Sequence, residues 1–196
     1  QIVTQKGITL SLKQNVQMLT ITKVYGQQHS KVYGAVEQIK DRIVSLSKPY
    51  IRPIVRGKET KAVEFGAKVN KLQVDGISFI EHFSYDAFNE GARLKNCIEM
   101  HQQLFGKCTH HSADKIYATN KNRKYCTSKK IVTNFAPKGK QKAAHIQQSK
   151  TMRAILNKER GTRLEGSFGN EKNHYQLQKI NARNAITEKC WIFFGM

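Results

Sequence analysis

The stretch VEFGAKVNKLQVDGISFI, residues 63–80, decides how the chain folds. Apolar side chains recur at every second position over much of it, a period that is typical of a β-strand with one buried face. Asp75 and Gly76 interrupt the pattern, and an Asp-Gly pair between two alternating runs is a strong signal for a tight hairpin turn. The stretch therefore predicts two antiparallel strands, and it explains Asp75 as a turn residue.

After this hairpin, helix and strand signals alternate along the chain. The predictions are a helix over 86–105 that stops at Gly106, a strand that ends at Asp114, a short helix capped by Thr119 or Asn120, a strand over 131–135, a basic loop over 138–150, a helix from 152 through 172 and a helix over 186–194. This alternation favours a mixed sheet with helices on its faces. The predicted class is α/β, and an RNase H-like (ribonuclease H-type) fold has this order with one more strand in front.

The N-terminal part has a different pattern. Short helical stripes within residues 1–40 are interrupted at Gly26 and Gly34, which predicts the remnant of a helical insertion. Two prolines exclude a continuous helix or central strand over 41–58, where basic and apolar residues alternate. This segment is interpreted as a basic extended arm that contacts phosphates. The expected domains are thus 1–40 and a partial catalytic core over 41–196.

The charge of the chain points to a polyanionic partner. Lys and Arg number 34 against 14 Asp and Glu, a formal net charge of +20. Such an excess repels itself in a folded protein, and nucleic acid is the first candidate to neutralise it. No apolar run is long enough for a transmembrane helix, and no signal peptide is evident. The four cysteines form no CxxC pair, which favours reduced thiols over a zinc site or a disulfide framework.

Carboxylates are scarce where basic residues are dense. Asp114 is the only one between Met100 and Lys158, and it follows a predicted strand. On a regular helix, Glu165 would lie beside an apolar seam. A strand-end Asp and a helical Glu are hard oxygen ligands of the kind that hold Mg²⁺ for phosphodiester chemistry. A helix cap for Asp114 and a solvated helix face for Glu165 are the simpler interpretations.

Five separated blocks, taken together, resemble bacterial insertion-sequence transposases of the DDE type. The agreement runs in order from about residue 41 to the C-terminus. The blocks are RPIVRGKETKAVEFGAKV (52–69), VDG (74–76), FNEG (88–91), ADKIYATNKNRKYC (113–126) and RLEGSFGNEK (163–172).

The resemblance implies an RNase H-like catalytic core that uses Mg²⁺ or Mn²⁺ to cut and join DNA at transposon ends. In it, Asp114 matches the second catalytic Asp, Glu165 the catalytic Glu, and Lys172 the lysine that accompanies this Glu. The pattern departs at Gly161 and Lys158, where many relatives carry Arg and Tyr. The predicted metal ligands are Asp114 and Glu165. The predicted DNA contacts are Lys172, Arg160, Arg163, Lys115, Arg123, Lys124, Arg52 and Arg56.

The expected partner is double-stranded DNA, both as the transposon ends and as the target. A homodimer is a further option, and no membrane partner is expected. The expected location is the bacterial cytoplasm, at the nucleoid. The family's first Asp lies upstream of the helical insertion and has no motif equivalent here. We therefore expect a fragment that is inactive alone. Two alternatives remain: a non-catalytic basic nucleic-acid-binding protein, and a metal-dependent nuclease on the same fold.

Overall fold

A computed structural model describes residues 7, 9–55, 63–140 and 143–196, with only the backbone at 143 and 144. In these residues the chain is mixed α/β, with helices and three two-stranded sheets, so the predicted α/β class is confirmed. The chain divides into two units. The first comprises Gln1–Ala67, Tyr85–Ala87 and Arg183–Ala185; the second comprises Lys68–Ser84, Phe88–Ala182 and Ile186–Met196. The predicted boundary at residue 40 falls inside the first unit.

The elements are numbered here in chain order. They are α1 (Leu12–Tyr33), β1 (Pro53–Val55), β2 (Val63–Phe65), β3 (Lys68–Val74), β4 (Ile77–Ser84), α2 (Leu94–Phe105), β5 (His110–His111), α3 (Asn120–Ser128), β6 (Val132–Thr133), α4 (Ala143–Glu159), a π-helical segment (Arg160–Glu165), α5 (Gly166–Asn173) and α6 (Ala185–Gly195). Short 3₁₀ turns cover Glu90–Ala92 and Lys115–Tyr117. The described part of the chain has no helix with the length and apolar character needed to span a membrane.

The first unit is built on helix α1. A capping box of Ser11 and Gln14 starts it, and it ends at Gly34, whose N–H donates to Ser30 O at 3.0 Å. The predicted interruption at Gly26 is wrong, because the helix continues through this residue. A single glycine costs a helix only about 1 kcal/mol, which the capped helix tolerates. Within the predicted arm, β1 is extended and pairs with β2 in antiparallel register.

In the second unit, the predicted hairpin is confirmed. Strands β3 and β4 pair in antiparallel register, with Val74 opposite Ile77 and a bulge between Asn70 and Lys71. Asp75 and Gly76 have φ values of 49° and 87°. Two positive φ values in a two-residue turn match the twist of the strands, which explains the Asp-Gly pair.

The core of this unit lies under α2 and α3. It contains Leu94 and Ile98, which are fully buried, with Cys108, Cys126, Ile131 and Phe135. Thr119 caps α3 by accepting the Asn122 N–H at 3.2 Å, as predicted. Helix α2 ends at Gly106, as predicted, but starts eight residues later than expected from 86–105, because a 3₁₀ turn capped by Asn89 precedes it.

Strands β5 and β6 pair in parallel register, so the two predicted strands do lie side by side. Helix α4, the π-helical segment and α5 then follow without a break from Ala143 to Asn173. The loop predicted over 138–150 is wrong from residue 143 onward, because the Ala and Gln residues there are good helix formers. The predicted C-terminal helix is confirmed as α6.

Candidate functional site

A cavity of about 420 Å³ in the second unit is the candidate functional site. Residues 69–76 of the hairpin form one part of its lining, and residues 110–114 at and after β5 form another. The residues that line it from the end of α4, the π-helical segment and α5 are Glu159, Arg160, Arg163, Leu164 and Phe168. Consecutive residues of β3 and of β5 line the cavity, and successive side chains of a strand point to opposite faces of the sheet. We therefore infer that the cavity lies along an edge of each strand. Among the described residues, β3 pairs only with β4 and β5 only with β6.

Asp114 lies at the lining of this cavity, three residues after the parallel strand β5. Its Oδ1 accepts the Lys115 N–H at 2.6 Å and caps a 3₁₀ turn, while the residue remains exposed. Asn134, just after β6, accepts the Ala113 N–H at 3.0 Å and donates to Ala113 O at 2.8 Å. This side chain fixes the backbone directly before Asp114. No motif in the sequence indicated its role.

Glu165 is exposed and paired with a basic residue. It ends the π-helical segment, its side chain is 57% exposed, and its Oε1 accepts from the Arg160 guanidinium at 2.9 Å. It is not among the described residues that line the cavity with Asp114. The π-helical spacing brings residues five apart together, and it thereby places Arg160 beside Glu165.

Glu171 is the buried carboxylate of this region, with only 5% of the residue exposed. It forms an ion pair with Lys71 of β3. Lys71 Nζ also donates to Ser167 Oγ at 2.8 Å and lies 4.1 Å from the centroid of the Phe168 ring. Glu171 lies three residues after Phe168, so the two share one face of α5, and this helical spacing is the sequence signal for its burial.

Of the predicted DNA contacts, Lys115, Lys124 and Lys172 are exposed. Arg163 lies at the cavity, 2.8 Å from Glu159 and 3.9 Å from Asp75, and its side chain is half exposed. These four basic side chains are therefore accessible to a phosphate.

Two other predicted contacts bind within the protein. Arg123 donates to Ala118 O at 3.0 Å and to Ala136 O at 2.7 Å. Arg52, in the first unit, donates to Pro49 O at 2.5 Å and to Ile51 O at 3.1 Å. Their guanidinium groups hold backbone carbonyls, which favours a structural role over a phosphate contact. The predicted contact Arg56 lies outside the described residues.

The residues present fit a divalent cation only in part. Asp114 offers a hard carboxylate oxygen at the cavity, whereas Glu165 is committed to Arg160. No group of three or more His, Cys, Asp or Glu side chains is suitably placed for a metal ion in the part of the chain that the structure describes. Mg²⁺ or Mn²⁺ would thus need Glu165 to leave Arg160, and the two carboxylates would be only part of its ligand set.

Acid is expected to destabilise the second unit through His111, which lines the cavity. Burial, assisted by the charge of His101, lowers the pKa of His111 from 6.5 to about 4. Between these pH values the unfolded chain binds a proton that the folded chain does not. The contribution of neutral His111 to the free energy of unfolding is therefore present above pH 6.5. It is lost as the pH falls to 4, which lowers the free energy of unfolding by up to about 3 kcal/mol.

Urea unfolding of the wild type and of His111→Gln, each at pH 7 and pH 4.5, measures this loss. The variant should lose clearly less stability than the wild type, because its side chain does not titrate. His110→Gln, an exposed neighbour on the same strand, is the matched control and should behave like the wild type. Equal losses in the wild type and in His111→Gln would contradict the prediction.

Searches of protein-family models, curated proteins and solved structures return no significant match to this chain.

Proposed function

We propose that the chain is a catalytic segment of a DDE transposase that binds double-stranded DNA and takes part in its cleavage and strand transfer. One observation carries the proposal. Asp114 follows a parallel strand at a cavity whose lining includes Arg160 and Arg163, two cationic residues of the segment that carries Glu165. Asp114 and Glu165 are the two carboxylates that the resemblance assigns to catalysis. The arginines near them provide the positive charge that a phosphate backbone needs.

Within the α/β class, we propose that the second unit has an RNase H-like fold. Its support is the order of an antiparallel hairpin, a helix, and two parallel strands separated by a helix. That fold has one more strand before the hairpin. Among the described residues, β3 pairs only with β4 and β5 only with β6, so each has one edge without a strand partner.

Asp114 and Glu165 are the residues that would hold Mg²⁺ or Mn²⁺. When bound, such an ion stabilises the charge that develops on the oxygens of the phosphate being cleaved. The protein itself positions the two carboxylates and supplies positive charge for the phosphate. Asn134 fixes the backbone before Asp114, and Arg160 holds Glu165 until a competing anion takes its guanidinium. A DNA phosphate is such an anion, since arginine binds phosphate and carboxylate in the same way.

DNA binding without cleavage is the second candidate for the chain by itself. The specific observation in its favour is the ion pair between Arg160 and Glu165, which occupies the Glu165 carboxylate outside the described lining of the cavity. The net charge of +20 supports both candidates equally. They differ in whether a metal ion produces strand cleavage once the family's first Asp is also present.

The test of DNA binding is the salt dependence of the affinity for a labelled 30-base-pair duplex of arbitrary sequence. We expect log K to fall steeply and linearly with log salt concentration from 50 to 200 mM, because basic side chains release counterions from phosphates. Lys172→Gln and Arg163→Gln should each reduce the slope by about 1.

Lys95→Gln is the matched control for this experiment. It removes the same charge from an exposed helical position, where Lys95 pairs with Glu99, outside the predicted contacts. A slope that changes equally in the control and in Lys172→Gln would mean that the loss of net charge, and not a contact, is responsible. A chain that shows no salt-dependent binding would overturn the proposed function.

A further inference from the structure

One ammonium group, that of Lys71, joins β3 to helix α5. Its Nζ donates to Ser167 and to the Glu171 carboxylate and lies over the face of Phe168. The three partners occupy little more than one turn of the helix. The side chains of Lys71 and Glu171 are 2% and 6% exposed, so water does not compete for the pair.

The segment that this contact holds is weakly fixed by its own sequence. Gly161, Gly166 and Gly169 fall within nine residues, and an added Cβ at each would meet no atom within 4 Å. Close packing therefore does not require these glycines, while each of them lowers the helix propensity. The π-helical segment before α5 adds a turn with unfavourable geometry. A helix with these properties needs an external contact to stay in one place.

We propose that Lys71 is a positioning residue that fixes α5 against β3 and thereby sets where Glu165 stands relative to Asp114. Glu165 directly precedes α5, so its Cα moves with the first turn of that helix. Lys71 also lines the cavity together with Asp114, which places the contact beside the residue that Glu165 must approach. The inference rests on the proposed function only for the role of Glu165.

Hydrogen exchange of the chain tests the mechanical part. In Lys71→Met, which keeps the aliphatic stem, we expect amides over 160–173 to exchange at least tenfold faster, while those of α2 keep their protection. The double variant Lys71→Met/Glu171→Leu leaves no buried charge and provides a folded alternative if the single variant does not fold. Its Met–Leu contact lacks the three partners of the ammonium group, so exchange over 160–173 should still be faster than in the wild type, but by less than in Lys71→Met. Unchanged exchange in a folded variant would overturn the positioning role.

DNA cleavage by a protein that also carries the family's first Asp tests the consequence. For Lys71→Met we expect the cleavage rate constant at saturating DNA to fall about 100-fold, because a displacement near 1 Å has effects of this size. The Kd for DNA should stay unchanged, and Lys71→Arg should recover part of the rate. A purely structural role would instead lower the amount of active protein and leave the rate per active molecule unchanged.

The two measurements separate two kinds of failure. A wild-type protein that binds DNA but never cleaves it would overturn the proposed function, and the exchange data would still decide whether Lys71 holds the helix. Normal cleavage by Lys71→Met would overturn the inference and leave the proposed function intact.

Discussion

Glu171→Ala is expected to lower the free energy of unfolding of the second unit by about 3–5 kcal/mol. The substitution leaves the Lys71 ammonium group buried without its counter-charge, since its side chain is only 2% exposed. Ser167 and the Phe168 ring remain as partners, but neither carries a negative charge. Because small domains have a total stability of only about 5–15 kcal/mol, such a loss is large enough to populate the unfolded state.

Urea unfolding followed by circular dichroism measures this loss, and two variants serve as controls. Glu99→Ala removes an exposed carboxylate that lies 3.5 Å from Lys95 in an i,i+4 pair, and should cost no more than about 0.5 kcal/mol. The pair Lys71→Met/Glu171→Leu removes both buried charges and should recover most of the loss, because well-packed apolar residues can replace a buried ion pair. If Glu171→Ala were as mild as Glu99→Ala, the pair would not be desolvated as the structure shows.

The parts of the fold that the sequence predicted are those that depend on local chemistry. Asp75 and Gly76 specify their turn because few residues accept two positive φ values. Thr119 and Gly106 mark helix ends for similarly local reasons, since a hydroxyl caps free N–H groups and a glycine accepts a φ of 81°. None of these features depends on a residue far away in the chain.

The candidate site depends on long-range contacts, and there the sequence was a weaker guide. Helical spacing did not predict the π-helical segment, which brings Arg160 beside Glu165 and pairs their side chains. Which carboxylate is buried was decided by Lys71, a residue 100 positions away from Glu171. For Asp114 the strand was predicted to end too late, because β5 ends at His111, and the simpler interpretation of Asp114 as a cap is confirmed by its bond to the Lys115 N–H.

The assignment of the two motif carboxylates leads to the second large effect. If the proposed function holds, then in a protein that also carries the first Asp of DDE transposases, Asp114→Asn and Glu165→Gln are each expected to reduce DNA cleavage by about 100- to 1,000-fold. Either change removes a charged ligand that would share in stabilising the transition-state charge by several kcal/mol. DNA binding should persist in both variants. Asp114→Asn should keep the salt slope, whereas Glu165→Gln should bind DNA more tightly, because it frees the Arg160 guanidinium for a phosphate.

Asp75→Asn is the matched control, because it neutralises another carboxylate that lines the cavity with Asp114. Asn-Gly forms the same turn as Asp-Gly, so the hairpin should keep its register. Its side chain is 94% exposed, and its nearest basic group is Arg163 at 3.9 Å, so little stability depends on it. Cleavage rates per bound duplex decide the matter. If Asp75→Asn lowered them as much as Glu165→Gln does, any loss of negative charge at the cavity would suffice, and Glu165 would have no specific role as a ligand.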